Sequence, residues 1–165
     1  MAQLGDESCY VKLLGEIGDV IAVYLTARFG PIELIEDCVQ EGLVAIHAGR
    51  HTYDAKRPFR PWLFTIVRNC TIDMLRSQRS YKSLLQRSSE ENISRSATLI
   101  EDEVGKSMMF AALKPTHREV LLLTKVTGLS ISETADVLGI SESAVRVRVH
   151  RGIKAARKII QCGRI

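Results

Sequence analysis

The sequence predicts an all-α protein of two small helical domains joined by a flexible linker. Apolar residues recur at helical spacing along most of the 165 residues, whereas the alternation typical of strands is rare. Pro and Gly punctuation places helices near residues 8–28, 31–50, 59–79, 104–113, 116–126, 131–138 and 141–160. A stretch rich in Ser and charge interrupts the pattern and divides the chain into residues 1–80, a linker at 81–104 and residues 105–165.

The composition excludes several classes of protein. A net charge of +4 is compatible with a polyanionic partner but does not demand one. The four cysteines are far apart and form no C-x-x-C pair, which argues against a metal site or a disulfide framework. The acidic start "MAQLGDES" is not typical of a signal peptide, and charges interrupt the apolar stretch at 11–27. We therefore expect a reduced, cytoplasmic protein.

The helix predicted at 31–50 gathers carboxylates on one face, because residues three, four and eight apart lie on the same side of a helix. Three interpretations remain open. The carboxylates could form a metal site, although no suitable histidine accompanies them. They could be a solvated helix face, which is the common case. They could also form a docking surface for a basic partner protein. The residues concerned are Glu33, Glu36, Asp37, Gln40 and Glu41.

The segment 54–80 is basic instead. In the helix that follows Pro61, an apolar face is predicted to pack inward and to leave a polar, basic strip outside. Arginines bind phosphates, and an asparagine can read a base edge. Trp62 is expected in the core, with stacking on a base as the alternative. The strip comprises Thr65, Arg68, Asn69, Ile72 and Arg76.

The segment 130–141 has the pattern of a helix-turn-helix unit. The motif "SISE" at 130–133 is a capping box, in which a hydroxyl and a carboxylate each bond the other's backbone N–H. Gly139 allows the left-handed conformation that ends a helix, and Ser141 can cap the next one. Small Ala135 permits a close crossing of the two helices, with Ile140 and Val145 between them.

The preceding helix, near 116–126, is expected to support this unit. Thr116 and Glu119 have the spacing of a second capping box just after Pro115. The leucines and valines that follow are predicted to form the core of the small C-terminal domain.

The helix predicted at 141–160 has an inward apolar face and an outward basic face. Val145, Val149, Gly152 and Ala156 share the inward side. A basic outward side suits a helix lying in the major groove of DNA. A solvated basic face, favoured by the helix dipole, is the alternative. The outward arc carries Ser143, Arg146, Val147, His150, Arg151, Lys154, Arg157 and Lys158, and Arg148 lies off it.

Three segments together resemble the extracytoplasmic-function group of bacterial sigma-70 factors. The segment "EDCVQEGLVAIH" resembles region 2.2, and "FRPWLFTIVRNCTIDMLR" resembles regions 2.3 and 2.4 with their W-L-x-x-I-x-R-N-x-x-I-D core. The segment "LKPTHREVLLLTKVTGLSISETADVLGISESAVRVRVHRGIKAARK" resembles region 4. The match covers nearly everything except the linker and about the first ten residues.

The resemblance implies a sigma factor with region 2 in residues 1–80 and region 4 in residues 105–165. Region 2 would bind the β′ clamp helices of core RNA polymerase through Asp37, Gln40, Glu41 and Val44. It would also melt and read the −10 element through Lys56, Arg57, Arg60, Arg68, Asn69, Asp73 and Arg76. Region 4 would contact the β flap and read the −35 element through Ser143, Arg146, Val147, Arg148, His150, Arg151 and Lys154. An anti-sigma factor, often membrane-bound in this family, is a further implied partner.

Two other functions remain as alternatives. A helix-turn-helix regulator that does not bind core polymerase would explain residues 113–160, but not the acidic helix followed by the basic W-L-x-x-I-x-R-N segment. An enzyme acting on nucleic acid would need a metal or nucleophile cluster. The sequence shows neither, and it has no Gly-rich phosphate loop, so we predict no catalytic residue, no metal and no cofactor.

Overall fold

The structure, a computed structural model, describes residues 7–30, 34–86, 110 and 112–162, with side chains for all of these except 78–86. Within these ranges the chain forms α-helices and no strand, which confirms the predicted all-α class. Most of the predicted helix near 104–113 and most of the predicted linker lie outside the described residues. The helices are α1 (Glu7–Phe29), α2 (Ile35–Gly49), α3 (Phe59–Gln86), α4 (Pro115–Leu121), α5 (Ile131–Leu138) and α6 (Glu142–Cys162).

The first three helices pack into a bundle around apolar side chains at helical spacing. Ile21, Tyr24 and Leu25 of α1 are fully buried. The rings of Tyr24 and Phe64 meet with centroids 5.0 Å apart, which joins α1 to α3. A tilted aromatic pair of this kind adds about 1 kcal/mol to the gain from area burial. The remaining buried residues of this bundle are Ile17, Cys38, Ile46, Leu63 and Val67.

Helix α3 is longer than the sequence predicted. It continues to Gln86, so the predicted end of the helix at 79 is wrong and the first residues of the predicted linker, 81–86, are helical. The sequence between 77 and 86 contains no Pro or Gly, and it is rich in Leu, Gln, Arg and Lys, which are good helix formers. Charge and serine content alone therefore did not stop the helix.

The second predicted capping box, between Thr116 and Glu119, is wrong. Helix α4 starts at Pro115, with Lys114 at the N-cap and no side-chain cap. Proline is favoured at the first helical position, because its missing N–H has no partner there in any case. The start therefore lies upstream of Thr116, and the Glu119 carboxylate is left for other partners.

The predicted helix-turn-helix geometry is confirmed. In the capping box, the Ser130 N–H donates to Glu133 Oε2 at 2.7 Å, and the Glu133 N–H donates to Ser130 Oγ at 3.1 Å. Gly139 ends α5 with φ of 64°. Ser141 Oγ accepts the N–H of Ala144 at 3.2 Å and caps α6. The small core beneath the turn contains Val120, Ala135 and Val145, with Ile131, Leu138, Ile140 and Val149 around them.

The C-terminal unit shares its core with the N-terminal bundle. A π-helical turn, Leu122–Val126, follows α4, and Leu122 and Leu123 are fully buried within the cluster formed by α1, α2 and α3. Leu129 and Val137 join the same cluster. The prediction that the leucines and valines of this segment form the core of the small domain is therefore confirmed for Val120 and wrong for Leu122 and Leu123, which pack in the larger cluster.

Candidate nucleic-acid interface

The outward face of α6 is basic and exposed, as the sequence predicted. Its outward residues, from Ser143 to Lys158, are all exposed, whereas Val145 and Gly152 are buried. Arg148, which lies off the predicted arc, is half-buried. Arg146 donates to Glu142 at 2.9 Å along the helix surface, which orients its guanidinium without burying it. A face of this kind can lie against a polyanion.

The loop before α3 has a defined shape and an aromatic cluster at its base. Asp54 Oδ1 accepts the N–H of Lys56 at 2.9 Å, and the Tyr53 hydroxyl donates to the Arg57 carbonyl at 3.1 Å. The ring centroids of Tyr53, Phe59 and Trp62 lie 5.2 to 5.5 Å from one another. The loop thus holds the side chains of Lys56 and Arg57 in solvent.

Trp62 is intermediate between the two predicted environments, which are the apolar core and an exposed position for stacking on a base. It is half-buried and packs at the edge of the core, and its Nε1–H donates to Thr52 Oγ1 at 3.1 Å. It also lines an open cleft of about 680 Å³ between the loop, the start of α3 and α5. Glu133 and Asp136 form the α5 side of this cleft.

The polar strip of α3 is only partly free. Asn69, Asp73 and Arg76 are exposed, and Arg76 lies 3.6 Å from Asp73. Arg68 is half-buried, and its Nε donates to Glu119 Oε1 at 2.9 Å. One residue predicted to contact nucleic acid is therefore occupied by a carboxylate of the C-terminal unit.

Glu119 is the centre of a charge cluster that the sequence did not reveal. The same oxygen that accepts from Arg68 lies 2.6 Å from Arg28 Nη2. Arg28 also donates to the Tyr24 hydroxyl at 3.2 Å, and burial raises the pKa of Tyr24 to about 12. The side chains of Arg28, Glu119 and Arg68 are 10%, 16% and 23% exposed, so water screens these pairs only in part.

Two further arginines cross between the N- and C-terminal units. Arg118 donates to the carbonyl of Arg28 at 2.7 Å, and burial lowers the pKa of its guanidinium. Arg60 Nη1 donates to the carbonyl of Thr127 at 2.9 Å. No local sequence pattern predicts these contacts, because each joins residues that are far apart in the chain.

The acidic face of α2 is solvent-exposed. Asp37, Gln40, Glu41 and Val44 all project outward, and Val44 is 62% exposed. Glu33 of the predicted cluster lies outside the described residues. No group of three or more potential metal ligands occurs within the part of the chain that the structure describes. That part also contains no helix with the length and apolarity to cross a membrane.

Both halves of the chain match families of known proteins. Residues 19–81 match the family model for sigma-70 region 2, and residues 107–155 match that for sigma-70 region 4. The chain is 33% identical over 133 residues to the RNA polymerase sigma factor CarQ of Myxococcus xanthus, covering 77% of this chain and 75% of CarQ. It is 30% identical over 152 residues to the ECF RNA polymerase sigma factor SigF of Caulobacter vibrioides, covering 92% and 85%.

Two solved structures are similar in fold. CnrH in complex with the cytosolic domain of CnrY gives a TM-score of 0.68 at 27% identity, covering 98% of this chain and 93% of CnrH. The sigma factor RpoE of Bartonella quintana, in complex with the anti-sigma factor NepR, gives a TM-score of 0.74 at 18% identity, covering 92% and 96%. The second likeness concerns the fold alone.

Proposed function

We propose roles for the exposed surfaces of this chain, which belongs to the extracytoplasmic-function (ECF) group of the sigma-70 family of RNA polymerase sigma factors. As a member of that group, it binds core RNA polymerase and directs promoter-specific initiation through −10 and −35 elements. Residues 1–80 serve as region 2 and residues 105–165 as region 4. The observation that carries the proposal is the exposed basic face of α6 on a fully formed helix-turn-helix unit.

Helix α6 reads the −35 element. Arg146, Val147, His150 and Arg151 lie together on its outward face near the N-terminal half, where a recognition helix meets base edges. Arginine can bond guanine bidentately, and valine can contact a thymine methyl group. Lys154, further along the helix, holds phosphates. Ser143 at the start and Arg148 beside the arc complete this surface.

The loop at 53–60 and the strip of α3 handle the −10 element in single-stranded form. Opening the duplex exposes base faces and edges that side chains can capture, and basic groups hold the freed phosphates. Asn69 offers an exposed amide for a base edge. The surface comprises Lys56, Arg57, Arg60, Arg68, Asn69, Asp73 and Arg76.

The acidic face of α2 binds the clamp helices of core polymerase. Asp37, Gln40, Glu41 and Val44 combine three polar side chains with an exposed apolar one. Such a patch suits a basic partner surface, because opposite charges raise the association rate while the apolar contact adds affinity. Region 4 contacts the polymerase β flap through a surface apart from the DNA-reading face.

An anti-sigma factor controls the protein. RpoE of Bartonella quintana was solved in complex with the anti-sigma factor NepR, and CnrH with the cytosolic domain of CnrY. By analogy, a partner of this class covers the surfaces that polymerase and promoter need. The protein acts in the cytoplasm, where the polymerase is, and contributes no catalytic group of its own to transcription.

Run-off transcription with core RNA polymerase on a promoter library tests this function. We expect the chain to confer initiation at a limited set of promoters that share −10 and −35 sequences. Core polymerase alone and the chain alone are the controls. A chain that binds duplex DNA yet neither co-purifies with core polymerase nor supports run-off products would instead be a helix-turn-helix regulator.

A further inference from the structure

We propose that Glu142, the first residue of α6, is a positioning residue for −35 recognition that holds Arg146 ready to read one guanine. The proposal rests on the function assigned above, in which Arg146 contacts a base, and it adds a residue that itself touches neither base nor phosphate. Glu142 thereby raises the preference for one base pair while it lowers the affinity for DNA in general.

The contact between the two side chains is a charge-assisted hydrogen bond on the surface of α6. Arg146 Nη2 donates to Glu142 Oε2 at 2.9 Å, and the two residues are one helical turn apart. Side chains of a helix lean toward its N-terminus, so this bond holds the guanidinium over the first turn of α6. That turn is where a recognition helix meets base edges.

The guanidinium keeps enough free donors to read a base while it is paired. An arginine has five N–H donors in a planar fork, and the bond to Glu142 engages only one of its nitrogens. Two parallel N–H groups are sufficient for the bidentate bond to guanine O6 and N7. The Arg146 side chain is 68% exposed, so its remaining N–H groups are open to a DNA groove.

The start of α6 fixes the backbone of Glu142. Ser141 Oγ accepts the N–H of Ala144 at 3.2 Å and lies 3.0 Å from Ser143 Oγ, so the residues on either side of Glu142 are engaged. The carboxylate also lies at the helix N-terminus, where the helix dipole favours a negative charge. Glu142 is therefore anchored through its backbone and holds Arg146 through its side chain.

The charge pattern of α6 points to specificity rather than to affinity. Between Glu142 and Cys162 the helix carries six Arg and Lys residues, and Glu142 is its one acid. A carboxylate on a surface that faces phosphates weakens binding to every DNA sequence. It can still raise specificity, because specificity is a difference between affinities. Paired with Glu142, Arg146 is less available to phosphates, which every site offers, and it remains aligned for guanine.

A contribution to stability does not explain this ion pair. Both side chains are exposed, and an exposed pair at i, i+4 spacing contributes little to folding because water and salt screen it. In the DNA complex the pair has a different effect, because a restrained arginine loses less rotamer freedom on binding a base than a free one does. We expect loss of the restraint to reduce the preference at one base pair roughly two- to threefold.

Selection of promoter fragments by the holoenzyme tests the proposal. The full-length chain is combined with core RNA polymerase and a library of fragments, made from a promoter that the run-off assay identifies, with the −35 element randomised. Bound and free fractions are sequenced at several salt concentrations, and the enrichment of each base gives the preference at each base pair. The variants are Glu142→Ala, Glu142→Asp, Arg146→Ala and Glu142→Ala combined with Arg146→Ala. Asp136→Ala is the control, because it removes an exposed carboxylate from α5 instead of α6.

The preference at a single base pair is the decisive quantity. We expect the wild type to prefer guanine on one strand there, and Arg146→Ala to abolish that preference. Glu142→Ala should lower the same preference roughly two- to threefold and leave the other base pairs unchanged. Glu142→Asp should keep most of it, because it retains a carboxylate one turn away. In the Arg146→Ala background, Glu142→Ala should have no further effect at that base pair.

Binding to fragments with a scrambled −35 element should change in the opposite direction. Glu142→Ala should bind them more tightly than the wild type does. The slope of log affinity against log salt concentration should steepen by up to about one unit, because the freed guanidinium can bind a phosphate. Circular dichroism at 222 nm checks that each variant is as helical as the wild type.

Four outcomes would overturn the proposal. They are an unchanged preference in Glu142→Ala, an Arg146→Ala variant that retains every preference, an effect of Glu142→Ala that persists in the Arg146→Ala background, and equal effects of Glu142→Ala and Asp136→Ala. The third outcome would mean that Glu142 contacts a base directly. A wild-type holoenzyme without preference at any −35 base pair would instead refute the proposed function, and this proposal with it.

Discussion

The close crossing of α4 and α6 should make Gly152 sensitive to any added side chain. A Cβ at this position would lie 3.0 Å from Leu121 Cδ1, 3.1 Å from Leu121 Cγ and 3.4 Å from His117 Cβ. Ordinary carbon contacts begin at about 3.5 Å. Leu121 is buried, at 5% exposure, so its side chain must give way by a few tenths of an ångström inside a packed site.

The expected change in the free energy of unfolding on Gly152→Ala is the sum of two opposing effects. Replacing Gly by Ala within a helix favours folding by about 1 kcal/mol through propensity. Forcing an extra carbon into a well-packed site costs about 1–3 kcal/mol. Gly152→Ala should therefore change the free energy of unfolding by roughly zero to −2 kcal/mol. Gly152→Val should cost more, because it adds two further carbons and a β-branched side chain.

Gly15 provides a matched control in the middle of α1. It is exposed, and a Cβ there would meet nothing within 4 Å, so Gly15→Ala should show the propensity effect alone and stabilise by about 1 kcal/mol. Urea unfolding followed by circular dichroism at 222 nm gives both values. We expect the two alanine variants to differ by about 2 kcal/mol. If Gly152→Ala stabilises the protein as much as Gly15→Ala does, the helices do not cross as closely as argued.

Three further predictions concern the proposed surfaces. On α6, Arg151→Ala should weaken the free energy of binding to a matched −35 duplex by about 1–3 kcal/mol and relax the preference at one base pair. Lys154→Ala should instead weaken binding to all duplexes alike and reduce the slope of log affinity against log salt concentration by about one unit. Binding to matched and scrambled −35 duplexes separates the two, and equal weakening of both duplexes by Arg151→Ala would make it a phosphate contact. On α2, charge reversal at both Asp37 and Glu41 should weaken binding to core polymerase while leaving the unfolding midpoint nearly unchanged, because exposed charges contribute little stability; wild-type binding would refute the assignment. On α3, Asn69→Ala should slow open-complex formation more than it weakens closed-complex binding, and equal losses in permanganate footprinting and gel-shift assays would indicate a supporting role only.

Local rules were sufficient for the helix-turn-helix unit. The capping box at 130–133, the left-handed Gly139 and the Ser141 cap each depend on contacts within four residues, and all three occur in the structure. The outward basic arc of α6 also followed from helical periodicity, because one packed face fixes the direction of every other side chain. The same rules failed at the end of α3, where charge and serine content suggested a linker but no helix-breaking residue was present.

The sequence by itself determined most of the helices, the caps of the helix-turn-helix unit, the exposed basic and acidic faces and the family. Only the tertiary structure decided which partner Glu119 takes. Its spacing from Thr116 fits a cap, yet Pro115 begins the helix earlier and the carboxylate pairs with Arg68, 51 residues away in the chain. Leu122 and Leu123 likewise pack against α1, α2 and α3 rather than only within their own unit. The reason is physical: caps and periodicity act over a few residues, whereas a partly buried ion pair or a shared core depends on which surfaces meet after the helices have formed.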